Sequence, residues 1–214
     1  MSSSLKMARL DYFTFKSQFV SHAVLVLMII MFSIMGFSFI TLGITVAWFV
    51  ALLSMNIFAV QEKNEMEQLY ISLPFSLENI ICGRYIFIFA NYIFAVIFSI
   101  VIEVLVSFFQ NKNVNYADIL FGTCISLSMF TIITSIQIPI YFKVGYTKAK
   151  VWGMIPFVSV MAICVLPFFI DTYTIIMAGM IKHRTILEII ILIISFVFLL
   201  VSYHLSAKCY QKRR

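Results

Sequence analysis

The sequence contains very few charged side chains. Only 11% of its 214 residues are Asp, Glu, Lys or Arg, and none of these occurs between Gln18 and Val60. A soluble domain carries about 25% charged residues. Here 63% of the residues are hydrophobic, and the mean hydropathy is +1.05. This composition excludes an ordinary soluble domain, argues against nucleic acid as a partner and indicates an integral membrane protein.

The sequence also lacks the motifs of several enzyme classes. It has no GxxxxGK[ST] loop for nucleotide phosphates, no HExxH zinc helix and no GxSxG serine turn. Its four cysteines are widely spaced, so neither a zinc site nor a disulfide framework is indicated. We therefore expect no catalytic residue, no metal and no cofactor. Any ATP hydrolysis that drives this protein must occur on a separate chain.

Long apolar runs predict an all-α membrane protein with six spans. A helix needs about 20 apolar residues to cross the hydrocarbon core. The predicted spans are about 18–37, 39–60, 85–109, 118–141, 151–170 and 185–206, with a tight turn near Gly36. Residues 1–17 are expected to form an interfacial helix along the membrane, with a disordered leader as the alternative. Residues 207–214 form a basic tail.

The basic residues predict which side of the membrane each loop faces. Six spans place both termini on one side, together with segment 61–84 and the loop around Lys143. That side carries twelve Lys and Arg residues, whereas the other carries three: Lys112, Lys182 and Arg184. Because basic loops are retained in the cytoplasm, we expect both termini and segment 61–84 to be cytoplasmic.

Segment Gln61–Tyr85 is a polar region between two spans, and it holds four of the nine acidic residues. Helix formers predominate in its first half. At 3.6 residues per turn, one stripe begins acidic and becomes apolar: Glu62, Glu65, Met66, Leu69 and Leu73. We expect a short amphipathic helix from Gln61 to Leu73, with a solvated connecting loop as the alternative.

The second half of this segment predicts a sharp corner. Pro74 disfavours helical geometry at the residue before it, and Ser76 with Glu78 offers an N-cap and an acidic first turn for a new helix. That helix enters an apolar run through Arg84 and Tyr85. An Arg and an aromatic residue are typical of helix entry into a bilayer, so we expect both at the membrane interface.

Three short pieces of this segment resemble a signature of small membrane subunits of the ABC-2 exporter class: Gln61–Lys63, Leu69–Pro74 and Gly83–Tyr85. The six-span layout also resembles that family. The resemblance implies a cytoplasmic coupling segment that docks on separate ATP-binding-cassette ATPase subunits. It also implies a second permease subunit, identical or related, and amphipathic peptide cargo. The family often has a basic residue soon after its Leu-Pro-x-Ser pattern, whereas this chain has Leu77 and Glu78.

The same resemblance implies a set of ATPase-docking residues. Apolar side chains of the stripe are expected to fill a groove on the ATPase, while carboxylates meet basic groups at its rim. The set is Glu62, Glu65, Met66, Leu69, Tyr70, Leu73 and Pro74.

Glu103 is a carboxylate deep in an apolar run, where a charge costs roughly 2.5–3.5 kcal/mol to insert. It is therefore a candidate for the translocation path. Three alternatives stay open: a protonated side chain bonded to a neighbouring helix, a position that reaches water at the outer interface, and coupled proton transfer. Coupled proton transfer would need a second titratable partner, which Glu103 lacks.

Two other function classes stay open. A secondary transporter or channel is expected to show internal repeats and several intramembrane charges, whereas this sequence shows no clear repeat and Glu103 is nearly alone. A non-transporting membrane scaffold or immunity protein would have the same composition. A neighbouring gene for an ATPase would favour the exporter.

Overall fold

The computed structural model describes residues 3–15, 19–66, 70, 76–165 and 184–213. These residues contain no strand. Their seven α-helices are α1 Ser3–Phe15, α2 Phe19–Ile34, α3 Phe39–Lys63, α4 Leu77–Phe109, α5 Tyr116–Val144, α6 Tyr146–Val165 and α7 Arg184–Arg213. A helix satisfies its own backbone hydrogen bonds, which a hydrocarbon environment requires. The predicted all-α class is confirmed.

Four of these helices are long and apolar enough to cross a membrane: α3, α4, α5 and α7. The apolar stretch of α2, Val20–Ile34, is shorter than the roughly 20 residues of a full span. The predicted span 151–170 begins within α6 but extends into residues outside those described. A multi-pass membrane protein is therefore supported, while the six-span count and the cytoplasmic termini stay predictions.

Short-range signals set several helix ends. Ser38 and Ser76 are the N-caps of α3 and α4, and their hydroxyl oxygens accept from the backbone N–H three residues later. Between α2 and α3, Gly36 has a φ of 73°, a conformation that glycine adopts without strain. The four long helices all extend beyond the predicted spans, and the difference is largest for α4 and α7. Helix α4 begins at Leu77, directly after the predicted N-cap Ser76 and before the predicted span 85–109, and α7 continues through the predicted tail to Arg213.

Helices α3 and α5 lie at the centre of the bundle. About half of the most apolar stretch of each is buried, 56% in α3 and 50% in α5. The corresponding fractions are 22% in α4 and 11% in α7. Helix α5 packs against both α3 and α7, while α6 packs against α5. One contact between α5 and α6 is polar: the Gln137 amide donates to the Gly153 carbonyl at 2.9 Å. The weakly buried faces of α4 and α7 are left for lipid or another chain.

Helix α1 packs against the start of α4. A Cβ built on Gly83 would lie 2.7 Å from the backbone oxygen of Ser4 and 2.7 Å from the Met7 Cβ, so only glycine permits this approach. One face of α1 is thus held by protein, with Met7 fully buried, while Tyr12 and Phe13 are exposed. The expected contact with the membrane surface is limited to that exposed face. The close approach brings Asp11 beside Arg84.

Candidate functional site

A buried ion pair joins α1 to α4. The Arg84 side chain is 0% exposed and that of Asp11 is 2% exposed. The Arg84 Nε lies 2.8 Å from Asp11 Oδ2, and Nη2 donates to Oδ1 at 3.0 Å. The Arg84 guanidinium is thus close to both carboxylate oxygens, and the contact from Nη2 to Oδ1 is a charge-assisted hydrogen bond.

Two further segments contribute to the environment of Arg84. Its Nη1 donates to the Gln61 side-chain oxygen at 2.6 Å, and Nη2 donates to the Tyr70 hydroxyl at 3.3 Å. The guanidinium carbon also lies 4.8 Å from the centroid of the Phe58 ring, within the range of a cation–π contact. We call this set the Arg84 cluster: Asp11, Phe58, Gln61, Tyr70 and Arg84. It connects α1, the end of α3, Tyr70 from the stretch between α3 and α4, and the start of α4.

Each charged group in the Arg84 cluster is buried and therefore needs its partner. Burial raises the pKa of the Asp11 carboxyl, while the nearby Arg84 charge acts in the opposite direction. Burial also raises the pKa of Tyr70 to about 12, so its hydroxyl stays neutral and accepts a hydrogen bond from Arg84. Removing one member of a buried ion pair leaves an uncompensated charge, which costs far more than the intact pair contributes.

Arg84 and Tyr85 differ from the sequence expectation. Both were expected to face the membrane interface, but both side chains are enclosed by protein. The Tyr85 hydroxyl hydrogen-bonds to the hydroxyls of Ser202 at 2.6 Å and Ser206 at 2.9 Å, both on α7. The two residues therefore join helices instead of extending into lipid headgroups. Their depth in the membrane stays a prediction.

Glu62, an expected docking residue, forms contacts within the chain. Its Oε2 accepts hydrogen bonds from the backbone N–H groups of Tyr146 and Thr147, the latter at 3.1 Å. Those groups begin α6, where unpaired amides and the helix dipole favour a negative charge. Glu62 thus links the end of α3 to the start of α6. Sequence reasoning missed this role because 84 residues separate Glu62 from Tyr146.

The predicted continuous helix from Gln61 to Leu73 is wrong in the described part of the chain. Helix α3 ends at Lys63, and Glu65 has a left-handed φ of 51°, so the expected stripe is interrupted between Glu62 and Met66. Met66 packs against the hydrophobic core, and Tyr70 is buried in the Arg84 cluster. Three expected docking residues lie outside the described residues: Leu69, Leu73 and Pro74.

Glu103 lies near the opposite end of α4. Its Oε2 accepts a hydrogen bond from the Ser33 hydroxyl on α2 at 2.8 Å. It lines a cavity of about 350 Å³ together with the turn 36–38, the loop 112–115 and the first residue of α7. Glu103 therefore forms a hydrogen bond to a neighbouring helix and also lies close to the connecting loops. In the part of the chain that the structure describes, no group of His, Cys, Asp and Glu side chains could hold a metal ion.

The sequence profile of a family described as ABC-2 family transporter protein matches residues 6–211. The chain belongs to the ABC-2 family. Searches of curated proteins and of solved structures find no match. An ABC-2 family protein is a membrane subunit of an ABC transporter, without its own nucleotide-binding motifs.

The Arg84 cluster and the Glu103 cavity lie at opposite ends of this ABC-2 subunit. Along α3, Phe39 lines the cavity and Gln61 belongs to the cluster. At 1.5 Å per residue, the 22 residues between them span about 33 Å. The hydrocarbon core of a bilayer is about 30 Å thick, so a membrane around α3 would separate the two sites.

Replacing Glu62 with Ala is expected to loosen the start of α6 in this ABC-2 subunit. The change removes the acceptor for two backbone N–H groups, and loss of a helix cap costs about 0.5–2 kcal/mol. Hydrogen exchange at the amides of Tyr146 and Thr147 should become faster, while Glu62→Gln should retain part of the protection. Lys148→Ala, an exposed change in the same helical turn, is the control. Equal exchange in all three variants would contradict the capping role.

Proposed function

We propose that this protein is the permease subunit of an ATP-driven exporter in a bacterial cytoplasmic membrane. Two such chains, identical or related, form the path, and separate ATPase subunits bind segment 61–84. The Arg84 cluster is the observation that carries the proposal. Through it, Tyr70 of the coupling segment is hydrogen-bonded to a buried Arg that also holds Asp11 and Gln61.

The contacts suggest how motion of an ATPase reaches the transmembrane helices. A displacement of Tyr70 acts on Arg84 and therefore on α1, α3 and α4 together. A displacement of Glu62 acts on α6 through the amides of Tyr146 and Thr147. Because both links are direct hydrogen bonds onto the helices, they transmit displacement through contiguous contacts.

For cargo, we propose amphipathic peptides. The chain resembles a permease of the staphylococcal phenol-soluble modulin exporter, whose cargo is of this kind. Its 23 Phe and 12 Met residues supply large, adaptable apolar side chains for such a ligand. Export of membrane-active peptides would also make the producing cell resistant to them.

Co-expression with an ATP-binding-cassette ATPase, taken from a neighbouring gene if one encodes it, tests the proposal. The two chains should co-purify, and in reconstituted vesicles an amphipathic α-helical peptide should stimulate ATP hydrolysis and accumulate on the side away from the ATPase. A scrambled peptide without an apolar face is the matched control. Transport driven by an ion gradient without ATP would favour a secondary transporter. A protein that neither binds an ATPase nor moves peptide would be a scaffold.

The orientation of the chain gives a separate prediction. Asn64 and Asn113 are both exposed, and they lie at the two opposite ends of the bundle. In a background without the four native cysteines, a Cys at position 113 should react with an impermeant thiol reagent on intact cells. A Cys at position 64 should react only after the cells are opened. The reverse pattern would refute the cytoplasmic location of segment 61–84.

A further inference from the structure

We propose that the cavity beside Glu103 is a binding site for a zwitterion, in which Glu103 holds the cationic group and Lys112 the anionic group. The site goes beyond the proposed export function and does not require it. Its volume of about 350 Å³ lies within the range of roughly 300–1,000 Å³ typical of small-molecule sites. Part of its wall is apolar: Phe37, Phe39, Val106, Ile119 and Phe121.

Four charged side chains line this cavity, and two of them are already paired. Arg184 forms ion pairs with Asp118 at 3.0 Å and with Glu188 at 3.3 Å, and it lies over the Phe121 ring. This group holds the start of α7 against α5. Glu103 and Lys112 differ, because within the described ranges neither forms a salt bridge with an opposite charge.

The backbone directs Lys112 into the cavity. Asn111 has a left-handed φ of 52°, and the Lys112 N–H donates to the Ser107 carbonyl at 3.0 Å, so the chain folds back over the end of α4. A Cβ built on Gly36 would lie 3.2 Å from the Lys112 ammonium nitrogen. The ammonium group therefore lies above the turn that forms one wall. On another wall, the hydrogen bond from Ser33 orients the Glu103 carboxylate.

This pair of charges selects the ligand class. Glu103 would repel a simple anion, and Lys112 would repel a simple cation, whereas a ligand with both charges satisfies both residues at once. The apolar wall favours an attached hydrocarbon group. Two sources share this chemistry: the headgroup of a zwitterionic phospholipid and a small apolar peptide with free ends.

Thermal unfolding of the purified full-length chain in detergent tests the site, because a ligand that binds only the folded state raises the midpoint. The probes are phosphatidylethanolamine, the dipeptide Leu-Leu and, as an anionic control, phosphatidylglycerol. We expect a concentration-dependent rise with a zwitterion. The apparent affinity should fall at least tenfold in Glu103→Gln and in Lys112→Gln. Glutamine at position 103 still accepts from Ser33, and Lys148→Gln at the opposite end is the matched control.

The outcomes are distinct. A rise with phosphatidylethanolamine alone identifies a lipid headgroup, and a rise with the dipeptide identifies a soluble zwitterion. An equal rise with phosphatidylglycerol, no rise with either zwitterion, or equal binding by both variants and wild type would overturn the proposal. The assay contains no ATPase, so its failure leaves the exporter untouched, and failure of ATPase co-purification leaves this site untouched.

Discussion

Replacing Arg84 with Leu is expected to prevent the protein from accumulating as a stable folded chain. The change leaves the buried Asp11 carboxylate without its cation, and Gln61 and Tyr70 each lose a hydrogen-bond donor. Breaking a buried ion pair in this way costs about 3–5 kcal/mol. That is a large part of the roughly 5–15 kcal/mol by which a typical domain is stable. The yield of monodisperse protein after detergent extraction and the thermal midpoint measure the effect.

Three further variants isolate the cause. Arg84→Lys keeps the charge but loses the planar set of donors that reaches Asp11, Gln61 and Tyr70 at once, so its loss of stability should be smaller. Joint replacement of Asp11 and Arg84 by Leu should recover part of the stability that Arg84→Leu loses, because no uncompensated charge remains. Arg184→Leu, at a partly exposed ion pair, should cost about 1 kcal/mol or less. Equal midpoints for Arg84→Leu and Arg184→Leu would contradict the structural role of the Arg84 cluster.

Replacing Leu69 with Asp is expected to abolish binding of the ATPase. Leu69 lies outside the described residues, and the expectation rests on its place among the apolar docking residues predicted from the sequence. Interface energy concentrates in a few buried apolar anchors, and a carboxylate at such an anchor must be desolvated without a partner. Co-purification of the ATPase should fall to background. The chain itself should still insert, because no long apolar helix changes.

Glu65→Lys is the matched comparison for Leu69→Asp. Glu65 is exposed and is one of the two carboxylates expected at the rim of the ATPase contact. Reversing a charge at the rim of an interface mainly lowers the rate at which the partners associate. The effect on ATPase binding should therefore diminish as the salt concentration increases. If Leu69→Asp retained the ATPase and full peptide-stimulated hydrolysis, the segment would be only a connecting loop. The exporter proposal would then lose its main sequence support.

The features that the sequence predicts correctly depend on residues close together along the chain. The lack of charge between Gln18 and Val60 indicates membrane helices, because a hydrocarbon core tolerates few ions. Ser76 was predicted as an N-cap, and the structure confirms it, because capping depends on residues within one helical turn. The motif pieces in segment 61–85 indicated the ABC-2 family, and the family match over residues 6–211 confirms it.

Tertiary structure alone decided the roles of Arg84, Tyr85 and Glu62. Arg84 is 73 residues from Asp11, Tyr85 is 117 residues from Ser202, and Glu62 is 84 residues from Tyr146. From sequence alone, an Arg and a Tyr at the start of an apolar run indicate a membrane interface, and an exposed Glu near a helix end indicates a partner contact. Only helix packing shows which polar groups lie within hydrogen-bonding distance of them. Because a buried charge needs a partner, that packing makes Arg84 the centre of a cluster that joins four segments of the chain.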